Sequence, residues 1–148
     1  MEDILFEINE TARAIRRAFD QRAATVGVTR QQWRVLARLK RESGLRQVEL
    51  AERLDMEPIT LCRIVDRLEE AGLVERKPDP SDRRAWRLEL TQKAGPLVNQ
   101  LRVLAHDLAE DVMDGMEELE LSRLRKELAA IRANIGRLAE LRAKAARA

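Results

Sequence analysis

Pro58-Ile59-Thr60-Leu61-Cys62-Arg63-Ile64-Val65-Asp66-Arg67-Leu68, followed by Gly72 and then Leu73 to Leu90, is the stretch on which the rest of the chain turns. Pro58 suits the first position of a helix, where its missing N–H costs nothing, and Gly72 suits the position just past the end. Leu61, Ile64, Val65 and Leu68 recur on one helical face, while Thr60, Arg63 and Arg67 fall on a neighbouring one. One face packs, and the other presents cations and a hydroxyl. Beyond Gly72, Leu73 to Arg76 reads as a strand. Trp86, Leu88 and Leu90 alternate with Arg87 and Glu89 as a second strand with one packed face. Between the strands, Pro78-Asp79-Pro80-Ser81-Asp82-Arg83-Arg84 forms a turn with a basic tip. The two prolines stiffen that turn and blunt strand pairing.

Upstream, Thr29 and Gln32 make a capping-box pattern opening a helix that carries Trp33, Leu36, Ala37 and Lys40 and stops at Ser43-Gly44. A short helix from Arg46 to Leu54 and a tight turn, Asp55-Met56-Glu57, lead into Pro58. Short helix, short turn, helix is the helix-turn-helix arrangement. Ile4, Ile8, Ala12, Ile15 and Phe19 predict an amphipathic first helix whose other side carries Arg13, Arg16, Arg17 and Arg22. Thr91 is expected to cap a long helix with an apolar stripe from Ala94 through Leu101 and Leu108 to Val112. A second stripe, Leu121, Leu124, Leu128, Ile131, Ile135 and Leu138, follows a turn at Gly115 to Glu120. Two such stripes exceed what a small helix-turn-helix body can cover and, with the first helix, predict dimerisation through the terminal helices; an intramolecular antiparallel hairpin would account for part of the pattern.

Composition bounds these readings. The chain has 148 residues, of which 45% are apolar and 3% aromatic, so its core is aliphatic and mainly helical. Its 28 cations and 26 anions leave a net charge of only +2, so any attraction for nucleic acid must come from local clustering. Arg76 to Arg87 holds five cations and two anions, whereas Arg46 to Ala71 holds four cations and seven anions. The single cysteine, Cys62, excludes an intrachain disulfide. With no membrane-length apolar run and no signal-peptide pattern, a cytoplasmic location is expected. One histidine, His106, one cysteine and no tyrosine leave nothing from which to build a catalytic or metal-binding constellation. No enzyme activity and no cofactor is therefore expected.

DNA recognition asks for phosphate anchors and for side chains that reach base edges. Thr60 at a helix N-terminus can meet a phosphate, Arg63 and Arg67 can enter a major groove, and Arg83 and Arg84 can enter an adjacent minor groove. Asp82 can pair with an arginine and orient the tip.

The segments Gln47-x-Glu49-Leu50-Ala51, Thr60-Leu61-x-Arg63, Asp66-Arg67-Leu68-Glu69-x-x-Gly72-Leu73-Val74 and Ser81-Asp82-Arg83-Arg84-Ala85 running into Leu88-x-Leu90-Thr91 resemble the MarR family of winged helix-turn-helix regulators, in its SlyA-like branch. The resemblance runs from the first helix to about Leu138. It implies a mainly α fold with a small two-to-three-stranded β wing, forming a homodimer through its terminal helices on a pseudo-palindromic double-stranded DNA operator. In that scheme 1–148 is one domain: 29–91 is the winged lobe, 1–27 and 92–142 are the dimerisation region, and 143–148 is a frayed tail. Arg84 would be the minor-groove arginine, Asp82 its positioning partner and Arg63 a major-groove contact, with Gln47 completing a DNA set of Thr60, Arg63, Arg67, Arg83 and Arg84. The resemblance also implies release from DNA by a small aromatic or phenolic carboxylate, with Trp33, Arg13, Arg16 and Arg17 as its site. The other reading is a helical protein–protein interaction module that does not bind DNA, supported by the net acidity of Arg46 to Ala71.

Overall fold

The computed structural model describes residues 2–146, and the last two positions of the expected frayed tail lie outside them. The elements in chain order are α1 (Glu2–Ala24), α2 (Arg30–Arg41), β1 (Leu45–Arg46), α3 (Gln47–Leu54), α4 (Pro58–Glu70), β2 (Val74–Pro78), β3 (Trp86–Leu90), α5 (Ala94–Val112) and α6 (Glu118–Ala145). Two compact units, 1–109 and 110–148, divide the chain within the last turn of α5.

The first unit is built on the aliphatic pattern. Val35, Leu36 and Leu39 of α2, Leu50, Ala51 and Leu54 of α3, and Leu61, Ile64, Val65 and Leu68 of α4 are buried together with Val74, Leu88, Ala94, Val98 and Leu101. Each buried Val, Leu or Ile among them contributes roughly 1.5–3 kcal/mol. Thr29 caps α2 as its sequence predicts: its Oγ1 accepts from Gln32 N at 3.3 Å, and Gln32 Oε1 accepts from Thr29 N at 3.0 Å. The turn between α3 and α4 places Asp55 at φ 48°, a left-handed conformation that a short polar side chain tolerates better than a bulky one. Pro58 is the first residue of α4, and Gly72 at φ +70° ends it.

Three local expectations are corrected. Arg46 is not the first residue of α3 but its N-cap, and with Leu45 it forms a third strand, giving an antiparallel sheet ordered β1-β3-β2 in which Leu45 pairs with Leu88 and Val74 with Leu90. Two residues are too few to show an alternating pattern in sequence. Thr91 does not cap α5 with its side chain; its hydroxyl donates to Gly72 O at 2.6 Å, tying the end of α4 to the start of α5. Trp86, read as part of a packed strand face, is half exposed, and only Leu88 of β3 is fully buried.

In the second unit α6 begins where Glu117 N donates to Glu120 Oε2 at 2.9 Å, after Gly115 turns at φ +82°. It continues through Ala145, beyond the last apolar position of its stripe. No residue of α6 is buried within the single chain.

Candidate nucleic-acid interface

The exposed side of α4 carries Ile59, Thr60, Arg63, Asp66 and Arg67. Positions 59, 63 and 66 form one line and 60 and 67 the next. Among the described residues no carboxylate lies within ion-pair distance of Arg63 or Arg67, so both guanidinium groups are available. Thr60 is exposed one turn from Arg63. Glu57, at the N-cap of α4, makes no side-chain bond to the helix, which places negative charge beside the position where Thr60 is expected to meet a phosphate. Gln47 is half-buried as the first residue of α3.

The charge of the wing is redistributed by pairing. Arg76 on β2 reaches back to α4: its Nη2 lies 2.5 Å from Asp66 Oδ1, Nη1 pairs with Glu69 Oε2, and its backbone N donates to Glu69 Oε1 at 3.3 Å. Desolvation pulls against those two carboxylates, which together hold the Arg76 pKa above its ordinary value. Lys77 sits between Glu75, at 3.1 Å, and Glu89, at 2.6 Å. Arg87 pairs with Asp79 at 2.9 Å. Of the five cations counted between Arg76 and Arg87, only Arg83 and Arg84 remain without an acidic partner among the described residues, and both are exposed at the tip. The same pairing consumes part of the acidity of Arg46 to Ala71. Asp66 and Glu69 hold Arg76, and Glu49 accepts from Arg46 N at 2.7 Å to open α3.

Asp82 holds the tip through the backbone: its Oδ1 accepts from Arg84 N at 3.0 Å, and its carbonyl accepts from Ala85 N at 3.0 Å. No side-chain ion pair joins it to Arg84 among the described residues. The residue that organises the wing is Asp79, which sequence reasoning passed over as one polar turn residue among several. It is 4% exposed and, among the described residues, the one charged residue in the buried set. Its Oδ2 accepts from Arg46 Nε of β1 at 2.8 Å and from Arg87 Nε of β3 at 2.9 Å. Its Oδ1 accepts from Ser81 N at 2.8 Å and from Ser81 Oγ at 2.7 Å, and its own N donates to Ala85 O at 3.0 Å. The Arg46 bond first, then the Ser81 hydroxyl and amide and Arg87, hold its carboxyl well below the usual carboxylate range, against the opposing effect of burial. One carboxylate thus joins an outer strand, the central strand and the tip loop. An asparagine or proline beside a turn would have looked equivalent in sequence. The one local signal was Arg87, eight residues on in the next strand; the other partner, Arg46, lies 33 residues upstream.

Of the expected effector residues, Arg16 lies close enough to Asp20 and Arg34, on either side of Trp33, for its charge to act on both. Trp33 stacks edge-on against Phe19, with ring centroids 4.7 Å apart, and donates Nε1–H to Asp20 Oδ1 at 3.0 Å. Arg13 pairs with Glu10 at 3.2 Å along α1, and Arg16 and Arg17 are exposed. Trp33 also lines an open groove of about 270 Å³ with Arg34, Ala37, Arg38, Arg41, Arg53 and Leu54. Arg38 and Arg53 share Glu42, at 3.1 and 3.4 Å. The half-buried Arg34 donates to Leu54 O; desolvation, and then the nearby charges of Arg16 and Arg30, lower its pKa.

Among the described residues, no helix is long and apolar enough to cross a membrane, and no cluster of His, Cys, Asp and Glu is arranged to hold a metal ion.

The model of the MarR family matches residues 28–86, from just before the cap of α2 to the first residue of β3. The chain is 34% identical to the transcriptional regulator PA3341, over 90% of this chain and 98% of that one, with a TM-score of 0.82. It is 28% identical to the transcriptional regulator SlyA, over 90% and 94%, with a TM-score of 0.77. A mutant MarR from E. coli complexed with operator DNA is 25% identical over 87% of this chain and 93% of its own, with a TM-score of 0.74.

Proposed function

Because the chain belongs to the MarR family of non-enzymatic DNA-binding transcriptional regulators, we propose that it acts as a homodimer on a pseudo-palindromic operator, reading sequence with α4 and holding the flanking backbone with its wing. The observation that carries this reading is the pairing pattern. Internal carboxylates neutralise Arg46, Arg76, Lys77 and Arg87, and leave Arg63, Arg67, Arg83 and Arg84 exposed on one helix and one loop tip. Arg63 and Arg67 suit base edges in the major groove, and Arg84, set by Asp82, suits the minor groove. In this reading the lobe 29–91 binds DNA and the segments 1–27 and 92–142 join the two copies. Half-sites would then lie roughly 34 Å apart, one turn of the duplex.

Selection of duplexes from a random-sequence pool, followed by a salt titration, tests the reading. Expected are an enriched two-fold-related sequence and a log–log slope that steepens by about −0.9 for each phosphate neutralised. A slope near zero, or no preference over random duplex, overturns it. Arg63→Ala should cost about 1–3 kcal/mol on the selected duplex and far less on random DNA. Equal losses on both would assign Arg63 to a phosphate.

The finer reading is release by a small aromatic carboxylate seated on the Trp33 groove, where the unneutralised Arg34 and Arg41 would meet the carboxylate and Trp33, Ala37 and Leu54 its ring. In a Trp86→Phe background, salicylate should quench Trp33 fluorescence and lower operator affinity with the same saturation midpoint. Arg34→Gln should shift that midpoint upward; unchanged affinity at saturating salicylate rejects the effector reading and leaves operator binding intact.

A further inference from the structure

On the exposed side of α4, Ile59 is the one large apolar residue, 65% exposed among Thr60, Arg63, Asp66 and Arg67. It belongs to neither the buried core nor the apolar residues packed against it. Folding does not call for it there, since a β-branched side chain is a weaker helix former than most polar alternatives at a solvent position. Its place is specific: the second residue of the helix, one turn before Arg63 and on the same line.

We infer that Ile59 is a specificity-determining residue that packs on the C5-methyl group of a thymine in each operator half-site. The inference rests on the DNA reading above. The thymine methyl is the apolar feature of the major-groove base edges, and the first residues of a recognition helix are those that approach these edges. Side chains four apart on a helix are about 5–6 Å from each other, and stacked base pairs are spaced by about 3.4 Å. The thymine therefore lies one or two base pairs from the base that Arg63 contacts. The long arginine takes hydrogen-bond acceptors, and the short branched side chain beside it discriminates thymine from cytosine by shape and by the absence of a polar partner for the cytosine amine.

The test uses the full-length chain and duplexes it selects from a random pool, with each thymine replaced in turn by uracil, which removes only the methyl group. One thymine per half-site should respond, with affinity falling about fourfold per contact, the factor for one buried methyl. Ile59→Ala should bind thymine and uracil duplexes equally at that position, and Ile59→Val should retain most of the discrimination. Val48→Ala, which removes a comparably exposed apolar side chain from α3, should leave the uracil response unchanged. A selected sequence whose thymines all tolerate uracil, or a response that survives in Ile59→Ala, overturns the inference alone. A pool that yields no enriched sequence overturns the DNA reading and the inference with it.

Discussion

Asp79→Ala is expected to weaken operator binding although it removes a negative charge from the winged lobe. Simple attraction predicts the opposite sign, because one anion fewer beside Arg83 and Arg84 raises the local potential. The wing geometry decides the matter the other way. Asp79 gathers Arg46, Arg87, Ser81 and Ala85 around one buried turn. Without the carboxylate, two guanidinium groups lose their partner beside a buried site and the tip loses the bonds that set its path. The exposed arginines then pay an ordering cost on binding that the folded wing has otherwise met in advance. Affinity on the selected duplex should fall on the order of tenfold, and the salt slope should become shallower by about 2 as the contacts of Arg83 and Arg84 are lost together. Anisotropy titrations of wild type, Asp79→Ala, Arg84→Ala and the double variant measure this directly. Arg84→Ala should cost much less in the Asp79→Ala background than alone. Tighter binding by Asp79→Ala, or additive losses, would show that the wing is not organised by this residue.

The same carboxylate sets a pH dependence. Its folded-state pKa is depressed, so the folded chain favours the ionised form more than the unfolded chain does. The stability this contributes is fully present above the unfolded value of about 3.9 and is lost as pH falls below it. The stability difference between wild type and Asp79→Asn should be constant above about pH 5 and should shrink on acidification, as followed by urea unfolding at several pH values.

What sequence could show, and what it could not, follows the range of the interactions. The limits of α4 were written locally, in Pro58 and Gly72, and the two wing strands in the alternation around Leu88. The capping of α2 by Thr29 and Gln32 is likewise a contact over three residues. The resemblance allows for a third strand, but its position was not written locally, because Leu45 and Arg46 take their pairing only from β3, more than forty residues away. Asp79 was passed over for the same reason, since its partner Arg46 lies 33 positions upstream. Counting charges from Arg76 to Arg87 gave a basic segment, but the structure spends Arg76 on α4, Lys77 on flanking glutamates and Arg87 on Asp79. Among the described residues the unpaired charge of the wing thus narrows to Arg83 and Arg84, and the acidity of the helix-turn-helix is partly the counter-charge of the wing. Aromatic character misled at Trp86, where strand alternation predicted packing but the residue, first in β3 and paired with Pro78, is half exposed.

Ile135→Asp combined with Leu138→Asp should separate the proposed dimer and remove most operator affinity while leaving the winged lobe folded. α6 runs for 28 residues without one buried side chain, and Ile135 and Leu138 are 61% and 60% exposed in the single chain. A helix keeps such a stripe at a cost in water unless another surface covers it, since tertiary packing of an apolar face supplies most of the stability of helices in proteins. α1, in the other unit, carries its own exposed apolar positions at Ile4, Leu5 and Phe6. A second copy of the chain offers matching stripes, and a two-fold pair of lobes is what a pseudo-palindromic site requires. Joining two half-site contacts makes the second one intramolecular, which is worth a factor of roughly 10² to 10⁴ in affinity. Light scattering should therefore report a monomer for the double variant. Its affinity for the full operator should approach the affinity of wild type for an isolated half-site, and its circular dichroism melt should retain the transition of the lobe. A variant that stays dimeric places the interface elsewhere. A monomer that still binds the full site with wild-type affinity would mean that the two lobes read DNA independently, and the terminal helices would then need another explanation for their uncovered stripes.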